Sequence, residues 1–309
     1  MSVARTEFCD RIATVRAAVV EFKLQDFPTT AANALHNKSA RMIRNGLAVQ
    51  CFNVFEDFVK RRANEVLESI GASAVPFSYW PDRLQRAVTV DIVKAIDFQL
   101  RLRDQDDRIR FVQEYSEKIS STKLMPVQNT DIAFFHSSSN ISKDHYRNAL
   151  AAFAVEKPWP QVSGLCSRLG LSGIPSENLF YSFAQMRHRA AHDSNASVSE
   201  VDIKQSLVDA TSLSICFDIL VSKCAGLVTR TTARTTASVA LISDQSVIPL
   251  RFIRYARGKF GEIREEGKRF VRCDSNSAKL IANALRRSVV ENGALIICDE
   301  SGTIVNWIV

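Results

Sequence analysis

Residues 47–59, Leu-Ala-Val-Gln-Cys-Phe-Asn-Val-Phe-Glu-Asp-Phe-Val, decide how the chain folds. Leu47, Cys51, Val54, Phe55, Phe58 and Val59 fall at i, i+4, i+7, i+8, i+11 and i+12, which is one stripe on a helix and no pattern for a strand. Followed outward, the stripe predicts a helix over 38–70, closed by Gly71 and Pro76.

The same period recurs on both sides. It predicts a helix from residue 3 to about 23. A second is opened by Pro81, with Leu84, Val88, Ile92 and Ile96 on its inner face, continuing past Leu100 until Pro126 closes the region. Residues 128–140, with the run Ser137-Ser-Ser-Asn140, read as loop, and a short helix over 143–155 is expected to break at Pro158 and Pro160. Ser176 is placed to cap a helix that carries Leu179, Phe180, Phe183 and Met186 toward a core. Asp193-Ser-Asn195 then makes a turn, and Ser197-Val-Ser-Glu200 forms a capping box. The following helix is apolar nearly all round from 213 to 221, as a central helix should be, and is expected to stop at Gly226.

Beyond the Thr-rich residues 229–237 the period changes. Strand-like runs at 239–243, 250–255, 260–264 and 270–273, a helix at 277–291, and two further runs at 294–298 and 303–309 make a small α+β module. The expected fold class is mainly α: a helical domain over 1–226 followed by a basic module over 227–309.

Composition agrees with a chain that folds throughout: 46% of residues are hydrophobic, 24% charged, and only 11 are Gly and 8 Pro. No uninterrupted apolar stretch approaches bilayer length, and the start lacks a hydrophobic signal segment, so a cytoplasmic protein without a membrane partner is expected. Seven cysteines, odd in number, scattered and without a C-x-x-C pair, argue against a disulfide framework or zinc knuckle. Cys51, Cys216 and Cys224 read as core residues, and neither a metal nor a cofactor is expected.

The net charge of +7 is uneven. Residues 229–309 hold 13 Lys and Arg against 8 Asp and Glu, a net of +5, leaving +2 for the rest. Within 251–272, eight basic side chains are interleaved with Phe252, Tyr255, Phe260 and Phe270. Arg251, Arg254, Arg257 and Lys259 are therefore the residues expected to hold RNA phosphates, although a solvated basic face of a sheet gives the same pattern.

The chemistry is concentrated in Phe183-Ala-Gln-Met-Arg-His-Arg-Ala-Ala-His192. On an unbroken helix, positions five apart lie about 140° from each other. If the helix ends at Ala190 or Ala191, however, the Asp193 turn lets His192 swing back beside Arg187. An imidazole near neutrality can exchange a proton with a ribose 2′-hydroxyl or a leaving oxygen. A guanidinium can oppose the charge that develops on phosphorus. The same side chains also suit a helix end whose cations complement the dipole. His188 and His192 have the spacing of a helical zinc pair but no third ligand nearby.

Arg187-His-Arg-Ala-Ala-His192 resembles the R-x4-6-H motif of the HEPN superfamily, including the polar residue that commonly follows its arginine. The resemblance implies a HEPN-like antiparallel helical bundle, a homodimer with a composite cleft, and metal-independent cleavage of RNA that leaves a 2′,3′-cyclic phosphate. Arg187 and His192 would be the catalytic pair, His188 the supporting polar residue, and Arg189 a contact to RNA. Glu56-Asp-Phe-Val-Lys60-Arg61 resembles the acidic and basic helix sometimes found opposite the motif, with Glu56 orienting and Lys60 and Arg61 binding RNA. Glu56 and Lys60 also have the spacing of a simple helical ion pair. The resemblance further implies a bacterial toxin or anti-phage effector, with an antitoxin or regulatory protein as partner. The competing readings are a HEPN-like scaffold that binds or dimerises without cutting, or a subunit of a toxin–antitoxin complex.

Overall fold

The computed structural model describes residues 2–22, 24–136, 140–171, 173–193, 195–230, 242–256, 258–267, 269–274 and 276–309. Its first helices are α1 (Val3–Glu21) and α2 (Ala34–Gly71). The stripe that predicts α2 is its inner face, where Cys51, Val54, Phe55, Phe58 and Val59 are buried.

α3 (Asp82–Arg86) passes through a π-helical turn at Ala87–Asp91 into α4 (Ile92–Arg101), and α5 (Gln105–Ser120) follows. The chain breaks between α4 and α5, where the sequence suggested one continuous region. Folding back lets Phe111 and Tyr115 of α5 bury against Ile92 and Ala95 in a small separate cluster, which a single rod could not do.

α6 (Lys143–Ala152) starts with a reciprocal cap between Ser142 and His145. α6 ends at Ala152, ahead of the prolines expected to stop it, and α7 (Pro158–Leu169), which the sequence reading did not predict, begins on them. Pro158 and Pro160 lie in its first turn, where backbone N–H groups need no helical partner and a fixed φ favours initiation.

α8 (Ser176–His192) and α9 (Glu200–Arg230) complete the helical part. Ser176 is not a side-chain cap: it lies inside the first turn, and its amide donates to Ser163 Oγ at 2.9 Å. The capping box of α9 is shifted from the expected one. Ser199 Oγ accepts from the Asp202 amide at 3.1 Å while Asp202 Oδ2 accepts from the Ser199 amide at 2.9 Å. α9 continues through Gly226 to Arg230 because Cys224 and Val228 still have core to bury against. By length and composition α9 would also cross a bilayer, but 72% of its apolar window is buried inside the molecule.

Side-chain pairs fix the helix directions. Ser2, Glu7 and Arg11 of the α1 strip meet Glu65, Arg61 and Asp57 of α2 in that order, so α1 runs against α2. Asn45 bonds to the backbone at Val198 just before α9, and Arg62 bonds to Asp218, so α2 and α9 run the same way. α8 returns against both, setting Phe183 on Phe52 and Phe55, and Met186 on Ser206. The most extensive packing, between α2 and α9, is thus parallel rather than antiparallel as expected.

Aromatic rings fill the space between α2, α6, α7, α8 and α9. Phe52, Phe55, Phe180, Phe183 and Phe217 pack edge-on or tilted, Trp159 stacks on Tyr146, and the Tyr146 hydroxyl donates to the Leu213 carbonyl at 2.9 Å. Such pairs add to the burial of their apolar area and direct how the helices interlock.

The C-terminal part is a five-stranded mixed sheet. Its strands are β1 (Leu250–Ala256), β2 (Lys259–Arg264), β3 (Arg272–Cys273), β4 (Ala294–Cys298) and β5 (Ile304–Ile308), in spatial order β3-β2-β1-β4-β5. β1 and β4 are parallel, with β2, β3 and α10 (Ser277–Glu291) between them in the chain; the other pairs are antiparallel. Of the strand expected at 239–243, residues 239–241 lie outside the described residues, and Ile242 forms an isolated bridge to Val155.

Alternation decides which face goes where. Leu250, Phe252, Ala294, Ile296 and Trp307 face the helices and join their hydrophobic cluster, whereas Ile253 and Leu295 pack under Leu280 and Ala284 of α10. Trp307 lies edge-on to Phe8 and Phe58.

Beside Trp307 lies a fully buried carboxylate, Asp218 of α9. It accepts from Arg5 Nε at 2.7 Å, Arg62 Nε at 2.6 Å, Ser222 Oγ at 2.9 Å and Trp307 Nε1 at 2.8 Å. Burial alone would raise its pKa, but Arg62 and Arg5 outweigh that and hold it well below the usual carboxylate range. One side chain thereby ties α1, α2, α9 and β5 together.

Candidate functional site

The sequence turns polar at the last two turns of α8. Leu179, Phe180 and Phe183 are buried, Met186 is half-buried, and then Arg187 is half-buried while His188, Arg189 and His192 are exposed. The helix does not end at Ala190 or Ala191 as expected. The Asp193 amide bonds to the Arg189 carbonyl at 2.9 Å, so helical geometry holds through His192 and the turn begins only at Asp193, whose side chain accepts from the Asn195 amide at 2.8 Å.

This corrects the expected arrangement within one copy. His192 stays on the helical lattice instead of swinging back, so it meets His188, one turn away, with ring centroids 4.9 Å apart. No hydrogen bond joins His192 to Arg187. Arg187 leans the other way, donating from Nη2 to Asn140 Oδ1 at 3.0 Å, and its Nε is buried without a hydrogen-bond partner. Asn140 belongs to a stretch that gave only a loop signal, so nothing in the sequence marked it as a partner.

Arg187, His188, Arg189 and His192 thus form a small cationic end, and no carboxylate pairs with any of them among the described residues. Chemically, the exposed imidazoles can accept or donate protons and the guanidiniums can meet an anion. His188 and His192 offer two nitrogens toward a metal, but no group of three or more His, Cys, Asp or Glu side chains is placed to hold one among the described residues.

The helix expected opposite is organised differently. Glu56 is buried and accepts from Lys60 Nζ at 2.7 Å, with no bond to the basic end of α8. Arg61 is bound by Glu7 of α1, with one contact at 2.9 Å, and lies 3.7 Å from Asp57. All three are engaged in ion pairs within the protomer, so Lys60 and Arg61 are not open phosphate contacts. Lys60 also lies near His136, whose pKa is lowered first by burial and then by that lysine.

In the sheet, Arg251 is only 2% exposed, inside a network rather than on an RNA-facing surface. Its guanidinium meets Glu262 at 2.5 Å and Glu291 through Nε at 2.8 Å, and Arg287 also holds Glu262. Alternation places Arg251 on the α10 side of β1, where an unpaired charge would be costly, so two carboxylates accompany it. Arg254 is exposed and stacks over the Phe252 ring at 4.6 Å. Lys259 is exposed at the start of β2. Arg257 lies outside the described residues. The expected basic surface therefore retains Arg254 and Lys259 and loses Arg251.

No family model, no curated protein and no solved structure matches this chain.

Proposed function

We propose that the chain is a HEPN-like, metal-independent endoribonuclease whose cleft is completed when two copies bring their α8 ends together. The observation that carries this reading is the exposed His188–His192 pair with the guanidiniums of Arg187 and Arg189 around it, which no carboxylate pairs among the described residues. A buried or salt-bridged set would argue for a structural role; this set has unsatisfied capacity facing solvent.

In the proposed reaction, His192 takes the proton from a ribose 2′-hydroxyl or returns one to the leaving 5′-oxygen. The 2′-oxygen attacks phosphorus, the P–O5′ bond breaks, and a 2′,3′-cyclic phosphate remains. Arg187 opposes the charge on the five-coordinate phosphorus, and His188 positions His192 through their ring contact. Because Arg187 and His192 diverge on one helix, the pair that acts on one phosphate combines Arg187 of one copy with His192 of the other. Arg189, Arg254 and Lys259 supply phosphate contacts. The setting that goes with this reading is a toxin or anti-phage effector restrained by a second protein.

The same divergence favours a second reading, a HEPN-like scaffold that binds RNA without cutting it. Labelled RNA incubated with the protein in EDTA separates the two. Cleavage that disappears in folded Arg187→Ala and His192→Ala supports the nuclease; undiminished cleavage by both variants removes it. Mixing the two inactive variants should restore part of the activity if the cleft is composite.

A further inference from the structure

A cleft of about 720 Å³ lies between the α3–α4 segment and α6, and none of the α8 residues lines it. Among the described residues its lining combines alanines and two phenylalanines with Arg83, Arg86, Lys94, His145 and Arg147, and Asp91 is its one carboxylate. That volume lies within the range of small-molecule sites.

The charge balance is what sets this cleft apart. Arg147 is paired with Asp144 at 3.1 Å. Arg83, Arg86 and Lys94 are exposed, and none makes an ion pair or a side-chain hydrogen bond among the described residues. In the ion-paired clusters of the fold the cations are matched, as Arg61 with Glu7 and Arg251 with Glu262 show. Here three converge on one concavity with no partner. The π-helical turn Ala87–Asp91 lies between Arg86 and Lys94, and such turns are frequent where a helix is adapted to a ligand.

The geometry assigns this cleft to the phosphate groups of a nucleotide, met either as a free nucleotide or within an RNA strand. Guanidiniums fork onto phosphate oxygens, the lysine adds a point charge, and small alanine side chains let the ligand approach the helix surfaces. This assignment does not depend on the proposed chemistry at α8.

Two probes distinguish the sources: ATP by titration calorimetry, and a short fluorescein-labelled RNA with 2′-O-methyl riboses, which cannot be cut through a 2′-hydroxyl, by anisotropy. Both are applied to the full chain, to the triple variant R83A/R86A/K94A and to Arg110→Ala, which removes an exposed charge outside the cleft. The triple variant is expected to weaken binding at least about tenfold and, for the RNA, to flatten the salt dependence by roughly two in log–log slope. Arg110→Ala should bind as the unmodified chain does. Loss confined to ATP identifies a free nucleotide as the ligand, and loss confined to RNA identifies the strand. The assignment is overturned if neither probe binds, if the triple variant binds both unchanged, or if Arg110→Ala weakens binding equally. Both readouts are binding rather than cleavage, so failure of the nuclease reading would leave this result intact.

Discussion

The Asp218 centre and the end of α8 treat charge in opposite ways. At Asp218, a carboxylate with no solvent exposure receives four donors from three helices and a strand, and every partner is itself anchored. At the end of α8, two imidazoles and the Arg189 guanidinium stand in solvent beside the half-buried Arg187, with the His188–His192 ring contact and one bond from Arg187 to Asn140. The first arrangement holds the fold together and has nothing left to offer a ligand. The second contributes little to the fold and keeps its chemistry available.

The comparison can be broken most sharply at Asp218. Asp218→Ala leaves Arg5 and Arg62 buried without their shared carboxylate, and should cost about 3–5 kcal/mol in urea unfolding. The acid sensitivity follows from the same group. Its pKa in the folded protein is depressed, so its contribution is complete above the unfolded value near ~3.9 and is lost as pH falls through the folded one. The unmodified chain should therefore lose stability steeply below about pH 4, and Asp218→Asn should lose much less over that interval.

His192→Ala tests the other side. It should reduce RNA cleavage about 100-fold or more while moving the unfolding free energy by less than about 0.5 kcal/mol. A stability loss as large as that of Asp218→Ala would show that the α8 end is structural after all.

Asp209 of α9 sharpens the contrast, because it is buried with a single amide donor, Gln205, at 2.7 Å. Burial raises its pKa to about 6, against the smaller opposing effect of that hydrogen bond. The folded state therefore holds the proton more tightly than the unfolded chain, and the penalty grows as pH rises from about 4 through 6. Asp209→Asn should stabilise the protein by roughly 2 kcal/mol at pH 8 and by almost nothing at pH 4, read from unfolding midpoints at both. The smallest effect is expected at the exposed Arg11–Asp57 pair, where Arg11→Ala should cost under about 0.5 kcal/mol.

The helices were legible wherever one face alternates with another at the helical period, as in α2, and the change to strands after residue 229 was equally plain. The readings that failed depended on partners distant in sequence. Asp218 is the one charged residue of the run 213–221, and its meaning appears only when Arg5, Arg62 and Trp307 arrive from elsewhere. Arg251 was placed on a basic surface because charge density says nothing about which side of a strand a residue occupies. At the candidate site, the sequence identified the imidazoles and guanidiniums but not their direction, since one or two further helical residues keep His192 turned away from Arg187. The cations at 83, 86 and 94 carried no motif and became a group only through the cleft they share.

The Asp218 knot also has a consequence for biosynthesis. Residue 307 leaves the ribosome long after α1, α2 and α9 have been translated, so the nascent helices hold an acidic group that still lacks its indole donor and an apolar face that still lacks its sheet. The helical part must wait, incompletely covered, for residues made well after its own, which makes the interval before Trp307 emerges the one in which a chaperone would find most to hold.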